Sequence, residues 1–319
     1  MHIERVTCFR QWQPFVDGPY ALSGGRSDDG FDSLVVRIDA RGDDARSVSG
    51  WGEMSPLGAM YDPAFPDGAF AAAPLLAGAL VGASVSTVAR VLDGTLKGHP
   101  YAKSAFDMAA WDALARAAGL PLHALLGGAD GDGTTLYRSI GRADAYAMAS
   151  KALEYRSQGY RRLQVKVGGD PDVDAVGLRA VAGAVPDAEL YCDANGGWST
   201  ADARRFLAGT TELRYTLEQP CATARECALL RPHASRPMVL DESITSVVDA
   251  VEAAQHGIDG ITIKIARVGG VTAARQVRDA AVAFGLAVTV EDTGGADIDT
   301  AAMAHLSITT PAGHRAHTV

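Results

Sequence analysis

After Gly133 the chain alternates short apolar runs with amphipathic stretches. The apolar runs predict strands at residues 134–139, 161–167, 188–193, 213–218, 237–241, 260–265, 286–291 and 315–319. Between them lie helical stretches such as 144–157, 172–184, 200–208 and 271–284, with apolar positions at a period of about 3.6. A strand and a helix repeating every 25 residues or so imply parallel strands joined by right-handed crossovers. Eight such units close into a (β/α)-barrel. The rival, an open doubly wound sheet, usually has a Gly-rich phosphate turn after its first strand, and this sequence has none there.

The earlier residues do not alternate in this way. Strands are expected at 2–10, 33–39 and 48–53, the last two as a hairpin around Arg41-Gly42-Asp43-Asp44. Helices are expected at 68–80, 84–93 and 101–118. The last carries Ala105, Met108, Ala109, Trp111 and Leu114 on one face and stops at Gly119, with Pro121 beyond it. This is an α+β block. Residues 22–31, rich in Gly, Asp and Ser, read as a mobile loop. At the other end the eighth strand begins near Arg315 and the sequence stops at Val319, so the barrel is expected to be incomplete at its C-terminal end.

Composition narrows the class. A length of 319 residues suits one large barrel or a barrel with a smaller partner. A formal net charge of -9, with no run of Lys or Arg, speaks against a nucleic-acid partner. Cys8, Cys192, Cys221 and Cys227 form no CxxC pair and are expected to be reduced thiols, mostly buried. The start Met1-His2-Ile3-Glu4-Arg5 has no signal-peptide core. The apolar stretch 69–85 contains Pro74 and is too short for a membrane span, so a cytoplasmic location is the default.

The chemistry lies at strand ends, where parallel barrels carry their reactive groups. Strands two to six end, in order, on Lys166, Asp193, Glu218, Asp241 and Lys264. A lone Asp or Lys at a strand end is ordinary. Five on consecutive strands are not, because buried lysines need partners and clustered carboxylates need a cation. Oxygen ligands alone point to Mg²⁺ or Mn²⁺ rather than zinc. Strands two and six are four apart in a ring of eight, so the two lysines face each other across the mouth with the carboxylates between them. Near a cation and away from bulk water a lysine's neutral form is favoured, and it can act as a base. The cation stabilises the charge that grows on a substrate carboxylate as its α-proton leaves. Gln164, two residues before Lys166, faces the same way; it could bond the substrate, bond the lysine or simply pack.

At these residues the chain resembles the enolase superfamily, for which a Lys or His base with Mg²⁺ is a known pattern. The matching stretches are Val165-Lys166-Val167-Gly168, Asp193-Ala194-Asn195, Glu218-Gln219-Pro220, Asp241-Glu242-Ser243 and Lys264 before Gly269-Gly270. Gly50-Trp51-Gly52-Glu53 and residues 103–126 match as well. The similarity is to the muconate-lactonizing-enzyme-like group of the mandelate racemase/muconate lactonizing enzyme family. It implies a TIM-type barrel at 126–319 under an α+β capping domain at 1–125. It further implies Asp193, Glu218 and Asp241 as metal ligands, Lys166 and Lys264 as the acid/base pair, and Gln164, Tyr61, Asp292 and Asn195 as substrate-binding positions. The loop 20–31 and the region of Tyr61 would close over the substrate, and the resemblance also implies a homo-oligomer.

Two departures stand out. The usual Lys-x-Lys of strand two begins here with Gln164, and the histidine that the mandelate-racemase branch carries after strand seven is replaced by Glu291-Asp292. The stretches 98–101, 136–140, 218–221 and 291–293 are similar to hydroxyproline-betaine 2-epimerases and cis-3-hydroxyproline dehydratases. Those relatives usually have a tryptophan after the Asp-Thr pair, where this chain has Gly294-Gly295. Three readings remain open: a racemase or epimerase of a proline-like amino acid or betaine, a dehydratase of a 3-hydroxy amino acid, and a non-catalytic binding relative. His99 and His305 are expected to be structural or exposed, Asp297 and Asp299 to start a helix, and Arg267 either to meet a substrate carboxylate or to pair with a neighbouring acid.

Overall fold

A computed structural model of the chain describes residues 1–15, 18, 20–22, 26–42, 44–56 and 63–318. The N-terminal part holds strands β1 (His2–Pro14), β2 (Tyr20–Leu22), β3 (Arg26–Asp28), β4 (Gly30–Arg41) and β5 (Ser47–Met54). Helices α1 (Pro66–Leu80), α2 (Val88–Thr95), α3 (Pro100–Ala118) and α4 (Leu122–Leu125) follow. The order β1-β4-β5 makes one antiparallel sheet. Its first ladder runs from His2 opposite Arg41 to Pro14 opposite Gly30, well past the apolar part of either strand. Backbone pairing needs no side-chain pattern, so the ladder continues through the mixed residues Gln11 to Pro14. For the same reason the expected loop at 22–31 is corrected where it is described, residues 23–25 lying outside the described residues. β2 and β3 pair as a small antiparallel hairpin, and Phe15 N–H donates to Asp29 O at 3.0 Å.

Helix α3 packs on β4 and β5 at backbone range. A Cβ at Gly52 would come within 2.0 Å of Ala105 O, and one at Gly50 within 2.1 Å of Ala109 O, so only glycine admits the helix. Leu34, Val36, Ile38, Leu76, Leu80 and Phe106 form the core beneath. The opposite side of α3 meets the barrel. Thr272 donates to Asp107 through its amide (2.8 Å) and its hydroxyl (2.7 Å), and Trp111 Nε1 donates to the Thr272 hydroxyl at 2.8 Å.

The second part is the barrel. Its strands are β6 (Tyr137–Ile140), β7 (Arg162–Lys166), β8 (Glu189–Asp193), β9 (Thr216–Glu218), β10 (Met238–Leu240), β11 (Gly260–Lys264), β12 (Ala287–Glu291) and β13 (Arg315–Thr318). They pair in parallel in chain order, as the sequence pattern predicts. No ladder joins β6 to β13 among the described residues; there the His317 ring meets Tyr137 edge-on at 4.5 Å. The intervening helices are α5 (Ala145–Ser157), α6 (Pro171–Ala184), α7 (Thr200–Gly209), α8 (Ala224–Ala228), α9 (Val247–Gln255), α10 (Ile265–Val268), α11 (Val271–Ala283) and α12 (Asp297–Ile308). Three of them, α8, α9 and α10, add to those read from the sequence. Of these, α8 is fixed by a Thr223–Glu226 capping box and α10 is ended by Gly269 at φ 103°.

Asp297 and Asp299 open α12 as expected, yet Asp299 is fully buried and neither of its carboxyl oxygens has a hydrogen-bond partner among the described residues. Glu53, at the end of β5, reaches this helix end. Its Oε1 accepts from Ala296 N–H (3.1 Å) and Ser33 Oγ (2.8 Å), and its Oε2 from Asp299 N–H (3.3 Å). Nearby, a Cβ at Gly294 would lie 3.3 Å from both the Phe31 ring and Ser55 O, so the chain after Asp292-Thr293 runs directly beneath the N-terminal block. His99 is exposed at the start of α3, and His305 Nδ1 accepts from His123 N–H at 3.4 Å, so one is exposed and the other structural, as expected. Cys192, Cys221 and Cys227 are buried free thiols and Cys8 is half-buried. No helix among the described residues is long and apolar enough to cross a membrane.

Candidate active site

Parallel pairing sets the strand ends at one level. Lys166 is level with Asp193, Asp193 with Glu218, and Lys264 with Glu291. Asp241 follows β10 directly. Alternation along a strand adds a second tier on the same face, with Gln164 below Lys166 and Thr262 below Lys264.

On one side of the mouth, Lys166 Nζ lies 2.5 Å from Asp193 Oδ2. Asn195, at a left-handed φ of 45°, donates its backbone N–H to Asp193 Oδ1 (2.8 Å) and its side-chain amide to Asp193 Oδ2 (2.9 Å) and Glu242 Oε1 (3.0 Å). Gln164 Nε2 lies 3.2 Å from Asp193 Oδ2 and 3.0 Å from Glu218 Oε2, and Thr262 donates to Glu218 Oε1 at 2.7 Å. On the other side, Lys264 Nζ lies 3.1 Å from Glu291 Oε1 and 3.5 Å from Asp241 Oδ2. Tyr137 donates its hydroxyl to Glu291 Oε2. Arg267, which the sequence left between a substrate and an acid, pairs with the acid: its Nη1 is 2.6 Å from Asp241 Oδ1.

One oxygen each of Glu218, Asp241 and Glu291 lies within 4.8 Å of the others, and all three residues are buried. Burial, reinforced by the Asp193, Glu291 and Asp241 carboxylates, holds the Glu218 carboxyl well above its usual range. Asp241 moves the other way. Burial would raise it, but the charges of Arg267, Lys264 and Lys166 outweigh that and pull it down. Lys264 is pushed up because Asp241 and Glu291 outweigh its burial. Burial, with Asp241 and Asp193 adding to it, pushes Glu242 up to about 8, and its Oε2 is buried without a hydrogen-bond partner among the described residues. Burial likewise raises Asp292 to about 6, although its carboxylate accepts from the backbone N–H groups of Ala266 and Thr293, each at 2.8 Å. A buried set of like-charged oxygen donors, one of them forced towards its neutral form, fits a hard divalent cation.

The five strand-end residues therefore meet at one mouth, with Gln164 and Asn195 among them and Asp292 at the start of the next loop. Tyr61 lies outside the described residues. In the sequence Glu291 stands out as the replacement of a histidine and as part of the matching stretch 291–293, not as a member of the acidic cluster. Its position at the end of β12, in phase with the other strand-end acids, was the available signal. Tyr137, Thr262 and Glu242 carried no signal of their own.

Two family models cover most of the chain. The one described as "Enolase C-terminal domain-like" matches residues 147–318. The mandelate racemase/muconate lactonizing enzyme N-terminal domain matches residues 32–127. The chain belongs to the enolase superfamily. Within it, the chain is similar to a cis-3-hydroxy-L-proline dehydratase of Roseibium aggregatum, 38% identical over 98% of this chain and 85% of that protein. A hydrophobic dipeptide epimerase of Roseobacter litoralis is 31% identical over 87% of this chain and 80% of that one. Among solved structures, an enolase-superfamily member from Roseovarius nubinhibens complexed with magnesium superposes with a TM-score of 0.90 at 38% identity, covering 99% of this chain and 86% of that one. This superfamily member is an enzyme, an isomerase or lyase that abstracts the proton α to a carboxylate with a divalent metal. The non-catalytic reading gains nothing from these relatives.

Proposed function

We propose that the protein is a Mg²⁺-dependent racemase or epimerase of a proline-like amino acid or betaine, with residues 1–125 as a cap over the barrel of residues 126–319. The observation that carries this reading is the placing of Lys166 and Lys264 on strands four apart, with the acidic residues of the mouth between them. A small α-carboxylate lying between the lysines offers one face of its α-carbon to each. One lysine removes the α-proton as a base, and the other, as an ammonium, returns a proton to the opposite face. Asp193, Glu218 and Asp241, with Glu291 beside the last two, would hold the metal, whose charge stabilises the substrate carboxylate as it becomes an enediolate. Asp292 and Asn195 border the mouth and would orient the substrate. The magnesium in the Roseovarius structure supports the choice of ion.

A second reading is favoured by one specific observation, the similarity to the Roseibium dehydratase over nearly the whole chain. In a 3-hydroxy amino acid such as cis-3-hydroxyproline, the same enediolate expels the β-hydroxyl. That group leaves as water once a lysine ammonium has protonated it, and the enamine product tautomerises to an imine. Turnover in D₂O separates the two. Epimerisation places deuterium at the α-carbon of the inverted product, whereas dehydration yields a keto or imine product. Lys166→Ala and Lys264→Ala are each expected to lower kcat/KM on the order of 10²-fold or more. Absence of both α-exchange and dehydration with every prolyl substrate and betaine tried would overturn the substrate class.

A further inference from the structure

Gln164 is buried at 3% exposure and sits beneath Lys166 rather than level with it. Its amide nitrogen is within hydrogen-bond distance of two carboxylates from two different strands, Asp193 and Glu218. In the ionised form that holds a cation, carboxylates can only accept, so the nitrogen faces them and its two N–H groups supply one donor to each. The other oxygens are also engaged: Asp193 Oδ1 by the Asn195 N–H and Glu218 Oε1 by the Thr262 hydroxyl. Both side chains are therefore held from two sides. The amide also differs in kind from the lysine above it. It fixes the two acids in orientation without cancelling their charge, and so leaves that charge available to a cation.

We propose that Gln164 is a positioning residue for the metal-binding carboxylates, acting through Asp193 and Glu218, and that it does not read the substrate. The proposal rests on the reading that this mouth binds a divalent metal. An ammonium, which relatives usually carry at this position, can also donate to these acids; a carboxylate would repel both, and an aliphatic side chain would release them.

The test is calorimetric titration of the chelator-treated protein with Mg²⁺ alone, comparing wild type, Gln164→Leu and Gln164→Met. Both variants keep roughly the side-chain volume and lose both donors, and Gln164→Met also keeps the unbranched shape. Both are expected to bind Mg²⁺ about 10- to 100-fold more weakly. At saturating Mg²⁺, Gln164→Leu is expected to recover activity with an unchanged KM for substrate, a separation that general misfolding would not produce. Thermal unfolding in chelator, where Gln164 has no ion to serve, identifies a variant that is merely unfolded, and the other variant then decides. Wild-type Mg²⁺ affinity in either folded variant overturns the proposal. So does a raised substrate KM with unchanged Mg²⁺ affinity, which would make Gln164 a substrate contact. A wild-type protein that takes up no Mg²⁺ overturns the metal reading itself, and is distinct from both.

Discussion

His317 lies inside the barrel with its ring edge-on to Tyr137 at 4.5 Å and to Tyr191 at 4.3 Å, and its Nδ1 is buried without a partner among the described residues. Burial, with a smaller contribution from Arg162, pulls its pKa down to about 3. The fold thus favours the neutral ring, while the unfolded chain titrates near 6.5. Its contribution to stability is complete above about pH 6.5 and is lost as the pH falls towards 3. At pH 5 the loss is about 2 kcal/mol. His317→Phe is expected to flatten that part of the pH profile. Urea midpoints at pH 7.5 and 5 check this: the gap between the two pH values should shrink in the variant, and an unchanged gap would refute it. At this scale the sequence was legible where position alone carried the meaning. Lys166, Asp193, Glu218, Asp241 and Lys264 were found because they end strands on one face. Tyr137 and Thr262 were not, because their importance arises only from an acid that another strand brings alongside.

Among the elements, α12 is held from outside itself. Its N-terminal amides at Ala296 and Asp299 end on the Glu53 carboxylate, which also takes the Ser33 hydroxyl. Glu53→Ala is expected to cost about 1–3 kcal/mol by leaving buried donors unpaired, measurable as a lower denaturant midpoint. Glu53→Gln, which keeps an acceptor oxygen, should cost less, and equal losses would argue against this role. The barrel strands were legible because β-rich apolar runs and 3.6-period helices alternate regularly. The β2–β3 hairpin and the full reach of β1 were hidden because a ladder of backbone hydrogen bonds leaves no mark on polar residues. The contact between Glu53 and α12 was hidden for a different reason: it joins residues far apart in the chain.

For the whole molecule, the acidic mouth is a cost that a cation relieves. Glu218, Asp241 and Glu291 repel one another in a buried space, and burial plus those neighbours already drives Glu218 towards its neutral form. Mg²⁺ at about 100 times its dissociation constant is expected to raise the unfolding free energy by about 2.7 kcal/mol. Thermal melts should show the gain, a chelator should reverse it, and NaCl at matched ionic strength should not reproduce it. Identical melts with and without Mg²⁺ would contradict the assignment.

Thr272 joins Asp107 and Trp111 of α3 to the start of α11, only a short way along the chain from Lys264. Residues 264–272 thus belong both to the chemical rim and to the seam with the N-terminal block. A substitution at Asp107 or Trp111 therefore bears on the position of Lys264 through the short stretch of chain that Lys264 shares with Thr272.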